Sequence, residues 1–382
     1  MKHSLSVAAS CALLYMATSV SHAQTAPVSK TNDESIAATA AYWTPERFKA
    51  AKPLPLPRVA PGAIPRPDEQ AAPTGKPQSS NASPPTARMA QQERPLFKPD
   101  PKATLGEGNE VVEPQATGTF GAYYTSTRVF PMFTGANAPL SADRAFPYST
   151  VGKLFFSING RPFVCSASTI QRRVVVTAGH CVHSGSPGGF YSNWVFVPAF
   201  RDGGAPFLAW NWRFVIVTGT WATGGGTVPN AADYAMIEFG DQPTNTGGPL
   251  RRVGEVVGWL GWQTLNLAPN HTSKLGYPCN LDSCQKMQNV MSNNFRNTSP
   301  NNVEYGSDAA GGSSGGPWVQ NFQILQTGGG TGSNTGQDRV VGVTSYGYVS
   351  PDPKVQGASI PDDRWVQLWN TICARTPGNC VP

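Results

Sequence analysis

Apolar positions fall in different patterns along this chain. From about Thr119 onward, short apolar or alternating runs recur between clusters of Gly, Pro and Asn. Such runs occupy residues 151–158, 162–170, 173–177, 193–197, 212–217, 234–239, 256–260, 317–320 and 339–346. β-branched and aromatic side chains dominate them, and these fit a pleated, half-buried surface. Many short strands separated by turn signals predict an all-β domain, either a barrel or a sandwich. One segment departs from the two-residue period. Trp365, Leu368, Trp369 and Ile372 stand at i, i+3, i+4 and i+7, just after Pro361-Asp362-Asp363. That spacing predicts a capped C-terminal helix with one apolar face packed on the domain.

The first residues have another character. Lys2 and His3 precede an apolar stretch from Leu5 to Val20, and Ser21-His22-Ala23 puts small residues where a signal peptidase reads. Residues 1–23 therefore read as a secretory signal peptide. The stretch is too short and Ser-rich for a membrane anchor, and no later run approaches about 18 apolar residues. Cys11 lies well before the cleavage site, which argues against lipidation. Between residues 45 and 101 about a quarter of positions are proline, with few aromatics. Such composition buries too little apolar surface to offset its ordering entropy. Residues 24–118 accordingly read as a largely disordered pro-segment or linker. One short helix is expected between Ser35 and Lys52, stopped by Pro53. Residues 119–382 form the folded domain.

Composition supports this division. The 40 glycines and 35 prolines among 382 residues favour loops and short strands. The net charge of +6 is scattered, without a basic run, so nucleic-acid binding has no support. Removing the signal leaves Cys165, Cys181, Cys279, Cys284, Cys373 and Cys380. An even number in an exported chain suggests disulfides. Pairing between sequence neighbours, 165 with 181, 279 with 284 and 373 with 380, is the preferred connectivity. A zinc site built from Cys279, Cys284 and His271 is the competing reading, but its spacing fits no usual zinc pattern.

Three motifs carry chemistry. Thr177-Ala178-Gly179-His180-Cys181 ends an apolar run; Asp233 opens the run 234–239; Gly312-Ser313-Ser314-Gly315-Gly316-Pro317 is a glycine-rich turn. A serine hydroxyl needs an imidazole to take its proton, and the imidazole needs an acceptor on its other nitrogen. His180, Asp233 and Ser314 supply that set in the order His, Asp, Ser. The backbone N–H groups of Gly312 and Ser314 are candidates for an oxyanion hole, given a glycine conformation that other residues avoid. Asp202, in a turn signature, reads as structural. His183, in the loop after the His motif, reads as an exposed residue.

These segments resemble the chymotrypsin-like serine peptidases, and among them the bacterial branch related to glutamyl endopeptidases. The resemblance covers about residues 120–382. It implies two six-stranded antiparallel β-barrels with a C-terminal helix and an active site in the cleft between them. Cys165 stands where the family's disulfide partner to the His loop falls. Asp308, six residues before Ser314, matches the base of the S1 pocket in trypsin-like enzymes, which implies basic P1 residues. Thr344 stands where glutamyl endopeptidases carry a His, which argues against Glu specificity. Ser345 and Gly347 match the strand that binds substrate backbone. Ser313 replaces the Asp that receives the new N-terminus in trypsin-like zymogens. The expected protein is thus a secreted, monomeric serine endopeptidase made as a zymogen, processed near Arg128-Val129. It acts on proteins or peptides and needs no metal or organic cofactor. An esterase with the same triad, and an inactive barrel used for binding, are the alternatives.

Overall fold

Asn159 and Gly160 both take positive φ, 50° and 75°, and so form a tight turn between two strands. The turn joins β1 (Val151–Ile158) to β2 (Arg161–Thr169), antiparallel from Val151 opposite Ser168 to Ile158 opposite Arg161. In the computed structural model, this hairpin begins a closed barrel. The structure describes residues 25–33, 35–59, 73–89, 95–98, 122–129, 141–323, 336–348 and 354–381. The expected signal peptide, residues 1–23, lies outside them, as does part of residues 24–118.

The first barrel continues with β3 (Val174–Thr177), β4 (Ser192–Pro198), β5 (Trp210–Val217) and β6 (Ala235–Phe239). Antiparallel pairing runs β1–β2–β3–β6–β5–β4 and returns from β4 to β1. Alternate residues serve two cores. Leu154, Phe156, Ala167, Val175, Trp194, Phe196 and Ile237 fill one cluster. Val151, Phe155, Val164, Val176, Val195 and Met236 face another, shared with residues from the rest of the molecule. Burial on both faces explains why these strands read as nearly continuous apolar runs.

The second barrel uses β7 (His271–Gly276), β8 (Gln288–Thr298), β9 (Asn302–Gly306), β10 (Pro317–Gln320), β11 (Arg339–Val343), β12 (Tyr346–Tyr348) and β13 (Val355–Ser359). Pairing runs β7–β8–β9–β13–β12 on one side and β7–β10–β11 on the other. Only Thr344 and Ser345 separate β11 from β12, so together they act as one bent strand and close a six-stranded ring. Val303, Tyr305, Trp318, Val341 and Ala358 pack inside.

The C-terminal helix spans Asp363–Arg375, with Asp362 as its N-cap accepting from the Arg364 N–H. Trp365, Leu368 and Ile372 are fully buried in the shared core, and Trp369 is partly buried. The three disulfides join Cys165 to Cys181, Cys279 to Cys284 and Cys373 to Cys380, the neighbour pairing.

The expectation of a largely disordered residues 24–118 does not describe the parts placed here. Val28–Thr31 adds an antiparallel strand to β5. The single helix expected between Ser35 and Lys52 is two, Ile36–Tyr42 and Pro45–Ala50, capped by Ser35 and Thr44. Trp43 and Phe48 between them stack on each other and pack edge-on against Phe155. Further on, Ser79–Ser80 pairs with Trp262 and Gln263. Proline leaves the segment unable to form a core of its own, but a few apolar side chains suffice when another domain supplies the surface.

Lys153, on β1, is buried, and its ammonium donates to the Cys284 carbonyl at 2.9 Å beneath the Phe200 ring. Burial pushes its pKa down from 10.5 to about 7. The unfolded chain therefore binds the extra proton between those values, and stability rises with pH across that window. Relative to Lys153→Met, the native protein should gain up to about 1.4 kcal/mol per pH unit between pH 7 and 10. Urea unfolding of both proteins across that range measures it; parallel pH profiles would show that Lys153 is not the source.

Candidate active site

β3 pairs with β6, so Thr177 lies opposite Ala235. The residues just beyond each strand end therefore meet. After Thr177 the chain turns through a short 3-10 segment, Gly179–Cys181, and the Cys165–Cys181 disulfide ties it to β2. A Cβ at Gly179 would lie 2.8 Å from Trp221 and 2.9 Å from Asp233 Oδ1, so only glycine fits. His180 donates its backbone N–H to Asp233 Oδ1 at 2.8 Å, and its Nδ1 lies 2.7 Å from Oδ2. The Ser345 hydroxyl donates to the same Oδ2 at 2.6 Å. Asp233 is 0% exposed, and its own N–H donates to Ser359 Oγ at 3.0 Å. Both barrels thus contribute donors around one carboxylate.

Ser314 sits in the loop between β9 and β10. Ser166, on β2, holds this loop from the first barrel: its N–H donates to the Ser314 carbonyl and its hydroxyl to the Gly312 carbonyl, both at 2.8 Å. The Tyr277 N–H donates in turn to Ser166 Oγ at 2.9 Å. Gly312 takes φ 89°, and a Cβ there would meet the Tyr277 carbonyl at 2.6 Å. The N–H groups of Gly312 and Ser314 donate to no group among the described residues. Ser314 Oγ and His180 Nε2 are both buried without a hydrogen-bond partner.

The residue before the serine is anchored without charge. Ser313 donates to the Ala310 carbonyl at 2.6 Å and accepts from Gln356 Nε2 at 2.8 Å. Gln356 also donates to the Ala309 carbonyl and accepts from the Ser307 hydroxyl, both at 2.9 Å. Neutral hydrogen bonds therefore brace the loop where trypsin-like zymogens use a carboxylate and an ammonium.

Other residues named from sequence fall in several places. Asp308 has a buried Oδ1 without a partner, while its carbonyl accepts from Asn280. Thr344 accepts from Trp318 Nε1 at 2.9 Å, and its backbone exchanges hydrogen bonds with Gly315 and Gly316, which makes it a brace for the serine loop. The Ser345 N–H is committed to the Gly357 carbonyl at 2.9 Å and its hydroxyl to Asp233. Its N–H and hydroxyl are therefore engaged within the protein. Gly347 donates to the Pro57 carbonyl at 3.0 Å. His183 is not exposed as expected. It is buried, accepts from the Gly185 N–H on Nδ1, and burial lowers its pKa. Asp202 makes a surface ion pair with Lys286. Val129 is buried with its N–H on the Met287 carbonyl, and Arg128 pairs with Asp282, so cleavage between them requires the strand Tyr124–Arg128 to leave β8. Ser166 and Gln356 escaped sequence reasoning because a lone Ser or Gln in a strand carries no pattern of its own.

Two closed antiparallel barrels, a C-terminal helix, and a His–Asp pair where the barrels meet constitute the chymotrypsin-like two-barrel architecture. No family model matches the chain. It is 24% identical over 215 residues to an extracellular metalloprotease of Bacillus subtilis (strain 168), covering 53% of this chain and 64% of that protein. Among solved structures it is similar to the protease Anisep from Arthrobacter nicotinovorans, with TM-score 0.48 and 26% identity over 59% of this chain and 96% of that one. It is also similar to a thermostable serine protease, AL20, from an extremophilic microorganism, with TM-score 0.47 and 26% identity over 60% and 98% of the two chains. A Glu endopeptidase matches with TM-score 0.46 and 19% identity over 65% and 97%.

The one candidate metal group among the described residues is unsuited to an ion. Among the described residues, Cys165, His180 and Cys181 form the one group of side chains close enough to share an ion, and the two sulfurs are bonded to each other. A disulfide offers no thiolate ligand. Cys279 and Cys284 are likewise bonded together, which removes the zinc alternative with His271.

Ser166→Ala should leave the buried Tyr277 N–H and Gly312 carbonyl unpaired and cost about 1–3 kcal/mol. Urea unfolding reads this; a change below about 0.5 kcal/mol would mean the loop is held by its other contacts.

Proposed function

We propose that this chain is a secreted serine endopeptidase working through an acyl-enzyme. Ser314 is the nucleophile, His180 Nε2 the base that takes its proton and later returns it to the leaving amine, and Asp233 the group that orients the imidazole. The observation that carries this reading is the His180–Asp233 pair at 2.7 Å, with His180 Nε2 and Ser314 Oγ left as buried atoms without protein partners. With Nδ1–H held by the carboxylate, Nε2 is the basic nitrogen. The free N–H groups of Gly312 and Ser314 suit the oxyanion of a tetrahedral intermediate, worth about 100- to 1000-fold in rate for one donor.

Asp308 supports a preference for Arg or Lys at P1. An unpartnered buried carboxylate oxygen is costly, and a cationic side chain entering beside it would relieve that cost. Lys274 lies close enough to feel Asp308, but its ammonium already donates to Ser292 at 2.6 Å, and burial pulls its pKa well down, with Asp308 opposing. With Lys274 engaged by Ser292 and the Gly306 carbonyl, Asp308 Oδ1 keeps no partner among the described residues. Export follows from the sequence of residues 1–23 and suits the three disulfides. Among the described residues, no helix is long and apolar enough to cross a membrane.

Ser314→Ala should abolish casein hydrolysis in a folded protein, a loss of about a millionfold. Substantial residual turnover would refute the assignment. In a P1 scan with a peptide library, Arg and Lys substrates should dominate. Asp308→Ser should lower kcat/KM for them by about 100-fold, with little change for apolar P1 residues, because one charge-assisted contact is worth roughly that much. A scan indifferent to Asp308 would remove it from the pocket.

A further inference from the structure

Both barrels, at the edges flanking the site, are already paired with one stretch of the same chain. Lys52–Pro53 runs parallel to Phe163 and Val164 on β2, and the Leu54 N–H donates to the Val164 carbonyl at 3.0 Å. Val164 adjoins Cys165, whose disulfide holds the His180 turn. The Gly347 N–H donates to the Pro57 carbonyl at 3.0 Å, and Arg58–Val59 runs parallel to Gly347 and Tyr348 on β12. Gly347 is two residues beyond Ser345, whose hydroxyl holds Asp233. Between these contacts Pro55 and Leu56 cross from the first barrel to the second.

The crossing is packed, not loosely draped. Leu56 is 7% exposed and Val59 2%. A Cβ at Gly347 would come within 2.9 Å of Leu56 Cδ2, so the strap lies directly on the glycine. Each end is anchored to a different barrel: Val28–Thr31 and the Trp43–Phe48 pair on the first, and Ser79–Ser80 on the second through Gly261–Gln263, the strand that itself pairs with β11.

We propose that residues 52–59 are an autoinhibitory strap, which occupies the peptide track of the cleft and must leave before substrate enters. This rests on the peptidase reading above. The strap survives in the site for two chemical reasons. It pairs in parallel with β12, whereas a substrate paired antiparallel presents each carbonyl and its amide nitrogen in exchanged order. One fixed arrangement of Ser314 and His180 serves one of these orders and not the other. In addition, Leu54–Pro55 and Leu56–Pro57 are tertiary amides, whose ring Cδ replaces the N–H and crowds the approach of the imidazole to the leaving nitrogen. Leu56 and Val59 hold the strap by burial, and the Gly347 hydrogen bond sets its register.

The test uses the intact chain, with mass spectrometry confirming that it is uncut. A fluorophosphonate probe should label the Leu56→Asp/Val59→Asp double variant at least tenfold faster than the native chain. In a Ser314→Ala background, where no catalysis is possible, the same two substitutions should raise hydrogen exchange at the Gly347 amide. Faster exchange with no gain in labelling would overturn the proposal, because the strap would then lie on the edge without blocking the site. Unchanged protection of Gly347 would overturn it too, because the two side chains would not be what holds the strap. If exchange responds but no form labels, including chain freed of the segment by limited proteolysis, the peptidase reading itself fails, and the inhibitory role with it.

Discussion

A carboxylate with no exposed surface must find donors enough to replace water, and Asp233 finds them on both barrels. Its two oxygens receive the backbone N–H of His180, the imidazole Nδ1 and the Ser345 hydroxyl. Each bond to a charged group contributes about 1.5–3 kcal/mol, and leaving any donor out exposes the full desolvation cost. The barrels therefore cannot shift against each other without unpairing a buried charge. Gly179 adds a steric limit, since any side chain there would collide with Asp233 and Trp221. The position of His180 follows from this junction more than from its own strand.

The serine loop is referenced to the same junction by neutral groups. Ser166 reaches across from the first barrel to the carbonyls of Gly312 and Ser314, while Thr344 and Gln356 brace it from within the second. Ser345 and Thr344 adjoin in sequence, so one bent strand fixes both the carboxylate and the loop. A loop held in this way has no need of an incoming ammonium to set its shape. Control of the proposed activity would then fall on access to the cleft, through the strap proposed at residues 52–59.

Much of the candidate site could be picked out in the sequence because the proposed chemistry demands rare combinations. A His beside a Cys at a strand end, an Asp opening a strand and a Ser among glycines leave few other readings. The neighbour pairing of the cysteines and the helix stripe from Trp365 to Ile372 were legible too, since each is a local pattern. The N-terminal segment was not. Its proline content correctly excludes a core of its own, yet Trp43, Phe48, Leu56 and Val59 pack on surfaces contributed by distant residues. Burial of His183 had the same cause: Trp221 Nε1 donates to its carbonyl from 38 positions away.

A β edge accepts either direction of partner, because its N–H and C=O groups alternate in both cases. Attack by a fixed serine is not so tolerant, since the leaving nitrogen must face the imidazole. A parallel strap can therefore bind through the same backbone groups that a substrate would use and still present no bond in the order required. Direction thus separates binding from cleavage without any change in the side chains of the site. Proline at alternate positions reinforces this by removing N–H groups that would otherwise invite further pairing. The segment that looked too poor in apolar residues to fold is, on this view, rich enough to dock and unsuited to being cut.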